Sequence, residues 1–241
     1  MWLVTREAHD GLPLVQALQA RGLSAVCAPA IRREPLPWPA VLDEAAGSAR
    51  GPVWLFLTSP LAARLALEHL EHLEHLEHAG SALRFASLSP HTLAVVVAAA
   101  RNVDVAAEGG ATALARACAA AGVSGTVLYP TSDAGLLQDE QALALEVLSR
   151  TATVVRAPVY TTRDEPHLED QLRSLSAPYR AVLFSPSAAR ALHRAVERTG
   201  APSPVLVVAV GRSTARAWPS AATLAPAGVD IVDFLCSLPD S

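Results

Sequence analysis

The sequence predicts an α/β protein built on parallel sheets covered on both faces. Two patterns carry that reading. Short, nearly continuous apolar runs alternate with Ala- and Leu-rich helical stretches along all 241 residues. Such runs mark strands buried on both faces rather than the alternating strands of half-solvated sheets. The chain also echoes itself. FLTSPLAARLA at 56–66 and VLFSPSAARAL at 182–192 share Ser-Pro and, two residues on, Ala-Ala-Arg, at an offset of 126 residues.

In chain order, 2–5 reads as a short strand with Thr5-Arg6 as its exit. A helix over 11–20 follows, closed by Gly22, where a left-handed residue is expected. Residues 26–31 complete a βαβ unit, and the Pro-rich RREPLPWP after it reads as a stiff linker. Strand 53–57 turns at Thr58-Ser59-Pro60 into a helix from 61 to about 80 that takes in the tract EHLEHLEHLEH at 68–78. Strand 83–88 turns at Ser89-Pro90-His91-Thr92 into helix 93–100, then strand 103–106, helix 111–121 with Gly122 behind it, and strand 126–128. YPTSDAG leads to helix 138–148, and strand 153–157 runs into PVYTTRDEP. The remainder reads as helix 168–175, strand 182–184, helix 188–197 and strand 205–210. GRST then starts a helix at 215, followed by a short strand at 223–225 and a terminal helix over 229–236.

The Ser-Pro echo is one of three. Ser89-Pro-His-Thr92 matches Gly211-Arg-Ser-Thr214, and Thr5 with APAI at 28–31 matches Ser132 with APVY at 157–160. Two copies of a three-unit βα module follow, and the repeats alone suggest a contiguous division near residue 125. Each strand ends in Ser or Thr before a helix, at the carboxyl ends where ligands bind in open α/β sheets. Hydroxyls and free N–H groups at the positive end of a helix dipole form an anion cradle. The bland alternative for any one turn is helix capping, the commonest use of Ser and Thr there. Capping alone does not require the same turn chemistry twice.

Composition excludes several classes. Net charge is −4, so no broad basic surface for nucleic acid is expected. All 19 basic residues are Arg, which removes P-loop, kinase-type and Schiff-base lysine chemistry. No apolar run reaches membrane-spanning length, and the start MWLVTREAHD lacks a signal-peptide pattern. Cys27, Cys118 and Cys236, odd in number and widely spaced, read as reduced thiols of a cytoplasmic chain. His69, His72, His75 and His78 tempt a metal reading. A three-residue period drifts around a helix of 3.6 per turn, so four His do not converge on one ion, and no metal is expected. There is no HExxH, CxxC or Gly-rich dinucleotide fingerprint.

The ordered set TR at 5–6, APAI at 28–31, LTSP at 57–60, PVYTT at 158–162, FSPSA at 184–188 and GRSTARA at 211–217 resembles the uroporphyrinogen-III synthase family across nearly the whole chain. The resemblance implies two doubly wound parallel-sheet α/β domains around a cleft, joined by a two-stranded connector. It makes the division discontinuous: residues 1–33 with 161–241 in one domain, 36–157 in the other, with crossings near 35–39 and 157–163. It implies a dehydrating, cyclising lyase that closes hydroxymethylbilane to uroporphyrinogen III without a cofactor, inverting the last pyrrole ring through a spiro intermediate. Tyr160 falls on the family's tyrosine and is the expected catalytic residue. The expected substrate-binding set is Thr5, Arg6, Thr58, Ser59, Thr92, Thr131, Ser132, Ser185, Ser187, Gly211, Ser213 and Thr214. Ser89 stands where Gly is usual, Thr131 where many members carry Arg, and Arg212 where Pro is common. The expected partners are the linear tetrapyrrole and, in passing, the enzyme that makes it; a monomer is expected. The competing reading is a bilobal binding protein for a small polyanion without the chemistry.

Overall fold

In the computed structural model, which describes residues 1–70, 83–133, 139–175, 178–226 and 228–239, the chain divides into two compact units. Met1–Arg32 and Thr162–Ser241 form unit 1, and Arg33–Thr161 form unit 2. The division is discontinuous, against the contiguous halving suggested by the repeats.

Unit 1 holds β1 (Trp2–Val4), α1 (Ala8–Ala20), β2 (Ala25–Cys27), α7 (Leu168–Ser174), β9 (Arg180–Leu183), α8 (Pro186–Thr199), β10 (Leu206–Ala209), α9 (Arg212–Ala217), β11 (Thr223–Leu224) and α10 (Ile231–Ser237). Its sheet runs β11-β10-β9-β1-β2, every pair parallel. Successive strand residues fall into two different cores. Leu3, Ala181, Leu183 and Val207 pack in one, and Trp2, Val4, Val182 and Val208 in the other. That alternation places a hydrophobic layer on each face, as a doubly wound sheet requires. Helix α8 shows why these helices form. Ser185 caps it, Pro186 takes the first position, and Gly200 closes it in the left-handed region at φ 65°. Ala188, Ala189, Ala191, Leu192, Ala195 and Val196 bury one stripe between those ends.

Unit 2 holds α2 (Ala40–Gly47), β4 (Val53–Leu57), α3 (Pro60–Leu70), β5 (Leu83–Leu88), α4 (His91–Ala98), β6 (Val105–Ala107), α5 (Ala111–Ala120), β7 (Gly125–Ser132) and α6 (Asp139–Leu148). Two further strands, β3 (Ile31–Pro35) and β8 (Ala152–Asp164), join its sheet and carry the chain across the unit boundaries. The order is β3-β8-β7-β4-β5-β6. Val53, Leu55 and Leu57 face one core and Trp54 and Phe56 the other. Apart from β3, the two sheets carry equivalent strands in the same order: β8-β7-β4-β5-β6 against β2-β1-β9-β10-β11. The Ser-Pro turn follows β4 in one unit and β9 in the other.

Three readings change in detail, and a fourth is covered only in part. RREPLPWP is not a plain linker, because its first half is strand β3. This strand lies at the sheet edge, where Pro35 leaves no ladder bond unmade. Helix α2 has no counterpart in the sequence reading. Strands β7 and β8 extend well beyond the apolar runs that mark them. Of the helix read from 61 to 80, the described part is Pro60–Leu70; the rest of the His tract, with His72, His75 and His78, lies outside the described residues.

Candidate active site

In unit 2 the site starts where β4 ends. Ser59 precedes a proline that opens α3, and its Oγ accepts the Ala62 N–H at 3.1 Å, the cap that a first-turn proline leaves room for. The same Oγ accepts the Tyr160 hydroxyl at 3.2 Å. A serine oxygen has two acceptor sites and one proton. With both acceptor sites used, Ser59 is left as a donor on a half-buried turn. Beside it, the Thr58 hydroxyl donates to the Tyr129 hydroxyl at 3.4 Å. Tyr129 is fully buried, edge-on to Phe56 with ring centres 4.8 Å apart.

Tyr160 lies in β8, 8% exposed and packed in the same core as Val159 and Leu57. Around it, the Asp133 N–H donates to the Tyr160 carbonyl at 3.0 Å, and the Thr161 hydroxyl donates to Asp133 Oδ2. Thr131 is buried and its hydroxyl donates to Gln141 Oε1 at 3.0 Å. Ser132 and Thr92 are buried as well.

In unit 1, Ser185 repeats the cap of Ser59, accepting the Ala188 N–H at the same 3.1 Å. Arg6 lies against the preceding residue, its guanidinium 4.7 Å from the centre of the Phe184 ring. It also pairs with Asp10 at 3.4 Å and stays partly exposed. A cation therefore lies against the residue that precedes the capping Ser185. Ser187 is half-buried and Ser213 exposed. Gly211 sits at φ 108°, a conformation that suits glycine, ahead of α9. Thr214 is buried, and so is Thr5, whose hydroxyl donates to the Val182 carbonyl at 2.8 Å.

A family model described as Uroporphyrinogen-III synthase HemD matches residues 13–223. The chain belongs to the uroporphyrinogen-III synthase family. That places it in tetrapyrrole biosynthesis, with a tetrapyrrole as substrate. Two solved structures show the same fold. One is a selenomethionine triple mutant of uroporphyrinogen III synthase from the extremely thermophilic bacterium Thermus thermophilus. It has a TM-score of 0.65 at 14% identity, covering 97% of this chain and 95% of its own. The wild-type enzyme in another crystal form has a TM-score of 0.50 at 15% identity, covering 92% and 90%. No curated protein matches the sequence at a significant level.

As a member of the uroporphyrinogen-III synthase family, the chain brings together Ser59 with Tyr160, Thr58 with Tyr129, and Arg6 with the Ser185 turn. Thr5 and Thr131 are instead engaged inside the protein. Tyr129, Asp133, Gln141 and Thr161 were missed by the motif reading. Tyr129 and Asp133 lie within the YPTSDAG stretch and Thr161 within PVYTT, and that membership is the one signal that could have found them. His69 stacks on Trp38 with ring centres 4.5 Å apart and meets Asp43 at 2.9 Å, which makes it part of unit 2's packing. Among the described residues no group of three or more His, Cys, Asp or Glu is placed to hold a metal, and no helix is long and apolar enough to cross a membrane. Burial pushes the Cys118 thiol and the Tyr179 phenol each up to about 12, so both stay protonated at neutral pH.

Proposed function

We propose that this chain closes hydroxymethylbilane to uroporphyrinogen III, inverting the last pyrrole ring and releasing water without a cofactor. The observation that carries the proposal is the hydrogen bond from Tyr160 to Ser59, which joins the turn after β4 to β8 at the point where its pairing with β7 ends. It sets a phenol proton beside a serine that can only donate further. Both groups suit a polycarboxylate whose hydroxymethyl group must depart. Tyr160 exchanges its bond to Ser59 for one to the departing hydroxyl, and so assists its loss as water. Ser59, Ser185 and Arg6 hold carboxylates through hydroxyl donors and one cation. The bilane closes unaided to the uninverted isomer, so catalysis is mainly control of conformation while the ring turns.

One observation favours the second reading, a bilobal polyanion-binding protein. At Thr131, where the family resemblance expects Arg, the side chain is buried against Gln141 and offers no cation. One assay separates the two. The full chain is incubated with freshly generated hydroxymethylbilane, the products are oxidised, and the porphyrin isomers are resolved. Isomer III in excess supports the synthase; isomer I alone, as in buffer, leaves only the binding reading. We further place the protein in the cytoplasm, since Cys27, Cys118 and Cys236 are all free thiols. We take it to act as a monomer that receives the bilane in passing contact with the enzyme producing it.

A further inference from the structure

We propose that Asp133 is a positioning residue that aims Tyr160 at Ser59 by holding a bulge in β8. Strands β7 and β8 pair residue for residue from Gly125 and Ala152 up to Thr131 and Pro158. Ser132 then meets Tyr160, so Val159 is the extra residue. The cause is local. Pro158 has no N–H to give the ladder, and interior strands accommodate proline at such irregularities. The consequence is a change of face. Side chains of an unbroken strand alternate, so Ala157 and Val159 share a face and Tyr160 belongs to the other. Here Ala157, Val159 and Tyr160 all pack in one core, the one that holds Leu57 at the end of β4. A bulge re-aims a side chain in this way.

Asp133 grips the chain just past the bulge at two points. Its N–H holds the Tyr160 carbonyl at 3.0 Å, and its carboxylate accepts the Thr161 hydroxyl, a charge-assisted bond at a site where Thr161 is 4% exposed. The backbone bond survives any side-chain change at 133 except proline. The carboxylate bond does not, and it fixes the residue next to Tyr160. Both of these bonds fall on the strand around Tyr160, so Asp133 acts through the aim of the ring.

The test has one arm independent of turnover. The chain contains three tyrosines, so ring-13C-tyrosine labelling of the full protein gives three signals, and Tyr160→Phe identifies one. Asp133→Ala is expected to move the Tyr160 signal and leave the Tyr179 signal in place. Asp133→Asn, whose amide oxygen still accepts from Thr161, is expected to restore it. An unmoved Tyr160 signal in Asp133→Ala overturns the inference. If Asp133→Ala does not fold, Thr161→Val removes the same bond without touching the acid and decides in its place. The second arm rests on the proposed synthase reaction. Asp133→Ala is expected to lower kcat by about tenfold or more with KM within about twofold, the scale on which a misplaced group costs rate. On a Tyr160→Phe background it adds nothing further. Multiplying losses overturn the inference. If the wild type makes only isomer I, the functional reading falls and the tyrosine signals alone decide.

Discussion

At the scale of single residues, Ser59 and Ser185 do the same structural work and different chemical work. Each accepts one backbone N–H at 3.1 Å and so caps its helix. Replacing either by Ala is expected to lower stability by about 1 kcal/mol, read as a shift in the denaturation midpoint. Only Ser59 also accepts a hydrogen bond from the Tyr160 hydroxyl. Ser59→Ala and Tyr160→Phe are therefore expected to lower kcat in the isomer-resolved assay. Ser185→Ala, which sits by Arg6, is expected mainly to raise KM. Equal effects of the two serine changes on kcat and KM would show that the turns do not differ.

Elements are where the sequence is hardest to read and where the fold is most exposed to small changes. Gly125, the first residue of β7, sits at φ 88°, and a Cβ there would lie 2.4 Å from the Pro52 carbonyl oxygen. Strain and overlap act together, so Gly125→Ala is expected to destabilise by roughly 3 kcal/mol, measured by urea denaturation. Beyond the end of the Tyr160 stretch, Asp164 receives Arg194 through Nε at 3.1 Å and through Nη2, with Arg198 at 3.5 Å. Arg198 continues to Glu169 and Arg173 to Glu169 and Asp170, which ties the tail of β8 to α7 and α8. The hydrogen bond from Arg194 holds the Asp164 carboxyl below its ordinary 3.8, against the opposing effect of burial. The folded value is the lower one, so this contribution is full above the unfolded value and fades as pH falls through the folded one. The pair is partly solvated, and Asp164→Asn is expected to lower stability at pH 7 by under about 1 kcal/mol. That difference should shrink as the pH of thermal melts is taken down from 3.8 through the lower folded value. The alternation of strands and helices was legible because buried strands such as VWLFL at 53–57 are continuous apolar runs that end at turn residues. β3 and the long reach of β8 were not, since RREP and PVYTTRD are polar or proline-bearing and owe their strand form to neighbours in the sheet. The bulge at Val159 was hidden for the same reason: pairing register is a property of two strands, and no single stretch spells it.

On the scale of the whole molecule, each of the four hydrophobic cores falls wholly inside one unit. Unit 2 is continuous in sequence and owns two of them, one on each face of its sheet. A fragment of residues 33–161 is therefore expected to fold alone and melt in one cooperative step by circular dichroism. A gradual, non-cooperative melt would show that its sheet depends on the rest of the chain. The motif echoes were enough to reveal two modules, because the turns at Ser59 and Ser185 share residues. They did not reveal where the chain crosses between modules, because the echo stops at APAI and APVY, short of most of β3 and of the far end of β8.

The shared strand order has a consequence for how such a chain is joined. Unit 2 runs β4, β5, β6, β7, β8 without a break, whereas unit 1 runs β9, β10, β11 at one end of the sequence and β1, β2 at the other. Each is the same ring of βα steps, and unit 1 carries an additional cut between α10 and β1. In unit 2 the matching step, from α5 to β7, is spanned by residues 121–124 alone. By that equivalence, a short link from α10 to β1 would close the unit 1 ring. The chain could then be opened at 121–124 instead, and the two units would exchange roles: the split one continuous, the continuous one split.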